Sequence, residues 1–328
     1  MTHAPPRIVV TRRIAEPALA LLREVGQVDL PQPDRGLTEA ELHEVVAGAD
    51  ALVSTLQDRI DARVVEAAGP GLRVIATVAV GYDNIDVDAV TDRDVLVTNT
   101  PGVLTDATAD LTLGLLLAVT RRIGEGERLV REQRPWEFSL DFMLGAGLQG
   151  RTFGVVGLGQ IGRAAARRAK AFGMEIAYTG RRRAAEEVEA ELGARFLPMT
   201  ELLGSADVVS LHCPLTPQTR HLIDADALAA MKPGAFLLNT TRGAVVDEGA
   251  LAGALSDGVI AGAGLDVFEE EPHVHPGLLE LDNVVLTPHL GSATVETRTE
   301  MALLAARNVA AVLTGEPAPT PVRAKVAS

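Results

Sequence analysis

A chain of 328 residues is long enough for two domains of ordinary size, and its formal net charge of −14 argues against a nucleic-acid partner. Apolar residues make up 47% and aromatics 3%, so sizeable cores must be built from Ala, Val, Leu and Ile. The single cysteine, Cys213, excludes an intrachain disulfide. No apolar run is long enough to span a bilayer and the first residues lack a signal-peptide core, so a cytoplasmic protein without a membrane partner is expected.

The first hundred residues alternate short β-like runs, Arg7–Thr11, Ala51–Ser54, Val74–Ala76 and Val95–Val97, with helical patterns at Ala18–Val25 and Glu39–Ala47. Thr38 is placed to cap the second of these helices. Such alternation predicts a parallel sheet with helices on both faces. The apolar stretch Leu111–Val119, inside the long segment Asp106–Arg122, reads as a buried helix. A second alternation follows, with strands expected at Thr152–Val156, Glu175–Thr179, Asp207–Leu211, Ala235–Asn239, Ile260–Leu265 and Val284–Thr287. Helices are expected at Gln160–Phe172 and Asp247–Ser256, the rhythm of a complete dinucleotide-binding domain. The segment Val295–Leu313 puts Met301, Leu304, Ala305 and Val312 on one helical face, and Gly315 and Pro317 end it. The chain therefore crosses between domains near Pro101 and again near His289. The fold class is α/β: two Rossmann-like, doubly wound parallel-sheet domains with an active-site cleft between them. Residues 1–101 with 290–328 form a discontinuous substrate domain, and residues 102–289 form the dinucleotide-binding domain.

Gly157-Leu158-Gly159-Gln160-Ile161-Gly162 stands between a predicted strand and a predicted helix. The first glycine permits the tight turn, the second lets the backbone reach a pyrophosphate, and the third allows close helix–strand packing. At the next strand end an acidic residue would bind the ribose 2′-hydroxyl of NAD. Here the sequence runs Thr179-Gly180-Arg181-Arg182-Arg183. With the acid missing and three guanidinium groups following, NADP(H) is the expected cofactor, NAD(H) the secondary one.

Three polar residues lie in distinctive strings: Arg242 in Asn239-Thr240-Thr241-Arg242-Gly243, Glu271 in Asp266-Val267-Phe268-Glu269-Glu270-Glu271-Pro272, and His289 in Thr287-Pro288-His289-Leu290-Gly291-Ser292. An arginine clamps a carboxylate and stabilises charge on a carbonyl oxygen, and a histidine moves a proton. A glutamate beside the histidine favours its protonated form. With the glycine loop, these residues predict reduction of a 2-keto acid by a nicotinamide cofactor. No metal is expected, because no His, Cys or Asp cluster has ligand spacing. Cys213 has no activating neighbours in sequence, and His273 and His275 read as loop residues.

These strings, with Val80-Gly81-Tyr82-Asp83-Asn84-Ile85-Asp86, resemble the D-2-hydroxyacid dehydrogenase family, and within it the glyoxylate/hydroxypyruvate reductases. The resemblance implies that Val80 and Gly81 cradle the substrate carboxylate and that Thr108, Thr240, Asp266 and Gly291 border the nicotinamide. It also implies that Pro214 lies by the adenosine, that the protein is a homodimer, and that Trp136 reaches the partner subunit's active site. A phosphoglycerate or D-lactate dehydrogenase is the alternative within the family. A nucleotide-sensing, corepressor-like binding protein is the alternative from another class.

Overall fold

The computed structural model describes residues 4–322. It divides into two compact units, Met1–Leu104 with Ala293–Ser328, and Thr105–Ser292.

In the first unit, β1 (Arg7–Val10), β2 (Gln27–Asp29), β3 (Ala51–Ser54), β4 (Val74–Thr77) and β5 (Leu96–Thr98) form a parallel sheet in the order β2-β1-β3-β4-β5. The central strands are buried on both faces, which is why they read as continuous Val, Ile and Ala runs. Thr38 caps the helix Glu39–Val46 in a capping box with Glu41. The helix Val295–Thr314 lies on this sheet beside Glu16–Val25, where Ala302, Ala305, Ala306 and Val309 meet Ile8, Val10, Ala18 and Leu22. Its buried stripe differs from the predicted one: Met301 and Ala305 are buried, but Leu304 and Val312 are only half-buried. Asn308 takes a buried place because its amide is fully engaged. Nδ2 donates to the Leu304 carbonyl at 2.9 Å and to Thr320 Oγ1 at 2.8 Å, and Oδ1 accepts the Thr320 amide at 2.9 Å.

In the second unit, the strands are β6 (Thr152–Val156), β7 (Glu175–Thr179), β8 (Arg195–Phe196), β9 (Val208–Leu211), β10 (Phe236–Asn239), β11 (Gly262–Leu265) and β12 (Val284–Leu286). They form a parallel sheet in the order β12-β11-β10-β9-β6-β7-β8. The strand order reverses between β9 and β6, and in sheets of this kind ligands bind outside the carboxyl ends at such a reversal. The register aligns those ends: Val156 pairs with Thr179 and Leu211, Asn239 with Leu211 and Leu265, and Leu265 with Leu286. Every loop carrying a candidate residue of this unit from Gly157 to His289 therefore leaves the same edge. The helix Thr105–Thr120 belongs to this unit and buries Ala109, Leu113, Leu116 and Val119. No helix among the described residues is long and apolar enough to cross a membrane.

Candidate active site

The glycine loop follows β6. Gly157 has φ +97°, and a Cβ there would stand 2.9 Å from the Cys213 amide nitrogen and the His212 carbonyl oxygen, so only glycine fits. At Gly159, by contrast, a Cβ would meet nothing within 4 Å. Gly159 caps the 12-residue helix Gln160–Ala171 and offers no side chain to its first-turn amides, and that turn has no acidic residue. Open space in front of uncapped amides at the positive end of a helix dipole fits the pyrophosphate of a dinucleotide. Leu158 and Ile161 are half-buried, Gln160 is exposed, and Gly162 is buried on the helix. Pro214 follows β9 on the neighbouring turn, with its carbonyl held by Thr219 Oγ1 at 2.6 Å. Burial pushes the adjacent Cys213 thiol up to about 11, so it stays protonated and inert.

Gly180, Arg181, Arg182 and Arg183 follow β7 and are exposed. The three arginines are not equivalent. Arg183 makes a two-pronged ion pair with Glu189, at 2.9 and 2.8 Å. Glu189 also accepts from the Tyr178 hydroxyl, which itself accepts the Ala184 amide at 2.8 Å. The Arg183 guanidinium, then the tyrosine hydroxyl, hold the Glu189 carboxyl down at about 2. Arg183 therefore braces its own turn, leaving Arg181 and Arg182 as the cations exposed beside Gly180.

Arg242, Glu271 and His289 follow β10, β11 and β12, three neighbouring strands. Asn239, at the end of β10, is buried and shapes the first loop. Its Nδ2 donates to the Arg242 carbonyl at 2.9 Å, and its Oδ1 accepts from the Thr241 amide and hydroxyl at 3.0 and 2.8 Å. Arg242 Nη1 donates to the Thr241 carbonyl at 2.8 Å. Glu271 Oε2 lies 2.8 Å from His289 Nδ1, and its Oε1 accepts the Phe268 amide at 3.1 Å. Burial pushes the Glu271 carboxyl up. The His289 hydrogen bond and charge, the Phe268 amide and the Arg242 charge outweigh that, and its pKa sits below the usual glutamate value. It is an anion aimed at the imidazole, and Arg242 is close enough to feel it.

His289 has φ +54°, an uncommon backbone for a residue with a side chain. Asp266, 1% exposed, imposes it. Its Oδ1 accepts the Leu290 amide at 2.7 Å and Thr287 Oγ1 at 2.6 Å, its Oδ2 accepts the Gly291 amide at 2.8 Å, and its carbonyl accepts the His289 amide at 2.9 Å. Sequence reading offered Asp266 for the nicotinamide; its visible work is to clamp the turn that presents His289. Thr108 stands against Gly291, within 3.5 Å of where a Cβ would be. Thr240 Oγ1 lies 3.1 Å from Thr112 Oγ1.

Other candidates lie elsewhere. Val80 and Gly81 follow β4 in the first unit, and Asn99 Nδ2 donates to the Val80 carbonyl at 2.8 Å. Trp136 is 57% exposed and stacks on Phe142, ring centroids 6.1 Å apart. His275 caps the turn Pro276–Leu279, and His273 is an exposed loop residue. Among the described residues no three His, Cys, Asp or Glu gather to hold a metal. Sequence reading did not single out Asn239, nor the two glutamates, Glu248 and Glu269, that meet around the Glu271 loop. Asn239 sits inside the Arg242 string, and a short polar side chain ending a buried strand was the available signal.

Comparison with known proteins places the chain in a family. Residues 113–291 match the family model described as D-isomer specific 2-hydroxyacid dehydrogenase, NAD binding domain. A glyoxylate reductase of Thermococcus onnurineus is 50% identical over 325 residues, covering 98% of this chain and 97% of the relative. The crystal structure of an NADPH-dependent glyoxylate/hydroxypyruvate reductase from Sinorhizobium meliloti, in complex with NADP and malonate, is 36% identical with a TM-score of 0.84, and 97% of each chain is covered. That of a glyoxylate reductase from Paecilomyes thermophila is 34% identical with a TM-score of 0.88, covering 98% of this chain and 99% of that one. With both sheets, the glycine loop and the three aligned strand ends in place, the chain belongs to the D-isomer specific 2-hydroxyacid dehydrogenase family.

Proposed function

We propose that this protein is an NADPH-preferring reductase of small 2-keto acids, glyoxylate and hydroxypyruvate, giving the D-2-hydroxy acid. The observation that carries the reading is the 2.8 Å contact between His289 Nδ1 and Glu271 Oε2, one strand from Arg242. A reduced nicotinamide, when bound, supplies the hydride to the keto carbon. Arg242 binds the substrate carboxylate and carbonyl oxygen in its fork and offsets the negative charge that develops there. His289 gives its Nε2 proton to that oxygen, making the hydroxyl, and takes it back in oxidation. Glu271 fixes the ring through Nδ1 and favours its protonated form.

The backbone amides of Val80 and Gly81 hold the carboxylate, and Thr108, Thr240, Asp266 and Gly291 border the nicotinamide. Residues 1–101 with 290–328 act as the substrate domain and 102–289 as the cofactor domain. Glycine at position 180 and the exposed Arg181 and Arg182 support recognition of a 2′-phosphate, with Arg183 bracing the turn. The names of the relatives support the substrate, and the NADP complex of the Sinorhizobium enzyme supports the cofactor.

A homodimer is supported by the exposed apolar side chains Ile123, Val130, Trp136, Phe138, Leu140 and Leu144 along one stretch of the second unit. In that dimer Trp136 meets the partner's site. The single buried thiol supports a cytoplasmic location.

The test is steady-state kinetics with glyoxylate, hydroxypyruvate and bulkier 2-keto acids, each with NADPH and NADH. The expected result is kcat/KM at least about tenfold higher with NADPH, a difference of about 1.4 kcal/mol in transition-state binding. Equal or better use of NADH overturns the cofactor assignment, and no turnover of any 2-keto acid overturns the activity.

A further inference from the structure

The loop that carries Glu271 is gripped from two sides by carboxylates the reaction does not use. Glu248 opens the helix Glu248–Ser256 and is 6% exposed. Its Oε1 accepts the Glu269 amide at 2.6 Å and its Oε2 accepts the His275 amide at 3.2 Å, so one side chain ties both ends of the segment around Glu271. The grip is returned: Glu269 Oε1 accepts the Glu248 amide at 3.1 Å. Glu269 Oε2 lies 2.8 Å from His221 Nε2 and 3.7 Å from the Arg220 guanidinium. His221 has φ +49°, and its amide donates to the Ala244 carbonyl at 2.8 Å, which docks it on the turn just after Arg242. Asp247 faces the other ring nitrogen of His221, 4.0 Å away. A buried carboxylate is retained only where donors satisfy it, and here backbone amides do so.

We propose that Glu248, Glu269 and His221 are positioning residues for proton transfer. Acting through the backbone of residues 268–275, they keep the Glu271 carboxylate on His289 Nδ1. The inference rests on the reading of His289 as proton donor. None of the three contacts His289: Glu248 and Glu269 act through Glu271, and His221 acts through Glu269. Removing the Glu269 side chain frees the Glu248 amide and the His221 ring together. Glu271 then loses the frame that aims it, although its own chemistry is untouched.

The experiment compares Glu269→Ala, Glu269→Gln, Glu248→Gln, Glu271→Gln and the double variant Glu269→Ala/Glu271→Gln. Each is checked for fold by circular dichroism, then followed by pH–rate profiles of glyoxylate reduction and by amide hydrogen exchange over residues 268–275. Glu269→Ala is expected to lower kcat on the order of 10- to 100-fold with the KM for NADPH near wild type, as for a misplacement approaching 1 Å. Its alkaline limb should move to lower pH, in the same direction as that of Glu271→Gln. Glu269→Gln keeps the oxygen that accepts the Glu248 amide and should recover most of kcat. The double variant should move no further than Glu271→Gln, because no carboxylate is left to position. Shifts that add, or a folded Glu269→Ala with the wild-type profile, overturn the proposal. If Glu271→Gln itself leaves the profile unmoved, the parent reading fails instead, and hydrogen exchange then decides. Faster exchange across 268–275 in Glu269→Ala and Glu248→Gln upholds the clamp, and unchanged exchange overturns it.

Discussion

Replacing Gly243 with alanine strikes the Arg242 loop and the Glu271 loop at once. An ideal Cβ there would stand 1.8 Å from the Phe268 carbonyl carbon, 2.1 Å from its oxygen and 2.2 Å from the Glu269 nitrogen. All three are main-chain atoms, so no rotamer change relieves the clash. Carbon–carbon contacts settle near ~3.5 Å, so one backbone must retreat from the other by more than ~1 Å. On one side of the contact is the turn whose preceding residue is Arg242. On the other is the segment whose Phe268 amide holds Glu271. Overpacking of this kind costs about 1–3 kcal/mol, and at about 2–4 °C per kcal/mol the melting temperature should fall by roughly 2–12 °C. A displacement of ~1 Å at a reacting group lowers turnover on the order of 10²-fold. The assay is kcat for glyoxylate at saturating NADPH, beside the NADPH dissociation constant from cofactor fluorescence. NADPH affinity should stay near wild type, because the glycine loop leaves β6 and Gly243 follows β10. A folded Gly243→Ala enzyme with near-normal kcat would refute the claim that this contact sets the spacing of Arg242 and Glu271.

Glu271→Gln tests the pair directly. Burial works against it, but with the His289 hydrogen bond beside it Glu271 ionises below the usual glutamate value, so it is an anion throughout the neutral range. A charge-assisted hydrogen bond contributes about 1.5–3 kcal/mol, reduced here because the pair is about one-third exposed. The alkaline limb for reduction should move to lower pH. Any stability the carboxylate contributes in the wild type is present above the usual glutamate value and lost as pH falls through the depressed one; the glutamine variant should lack that acid-side loss. An unshifted limb counts against the pair. Arg242→Lys keeps the charge and loses the fork, and kcat/KM should fall on the order of 10²–10³-fold in the same kinetic assay. Near-normal turnover in that variant removes Arg242 from the mechanism.

The sequence carries the interior of both sheets plainly, because the middles of β3, β6, β7 and β9 are buried on both faces and are mostly apolar. It is silent on β2 (Gln27–Asp29) and β8 (Arg195–Phe196), edge strands of three and two residues with polar members. Neither run is long enough to show a period, and pairing with a neighbour is what makes them strands. Arg242, Glu271 and His289 stand out because each lies in a string whose turn residues are as specific as the functional one. The Glu248–Glu269 grip leaves no such trace, since it joins side chains to amides 21 residues away. Arg183 looked identical to Arg181 and Arg182 in the string. Glu189, six residues on in the helix Glu186–Leu192, is what separates it from them.

The order in which the chain is laid down has its own consequence. The cluster made by Ile8, Val10 and Val53 of the first sheet with Ala18 and Leu22 of the helix Glu16–Val25 is finished by Ala302, Ala305, Ala306 and Val309. Those alanines emerge only after the whole of the second unit, Thr105–Ser292, has been made. At ribosomal speeds of about 5–20 residues per second, that interval lasts roughly 10–40 s. For that time the N-terminal half-domain waits on the ribosome with a greasy flank uncovered, while the cofactor-binding unit behind it is free to fold first. Residues translated before the second unit are thus among the last to be sealed, and nascent chains halted near residue 290 should be the ones that chaperones hold longest.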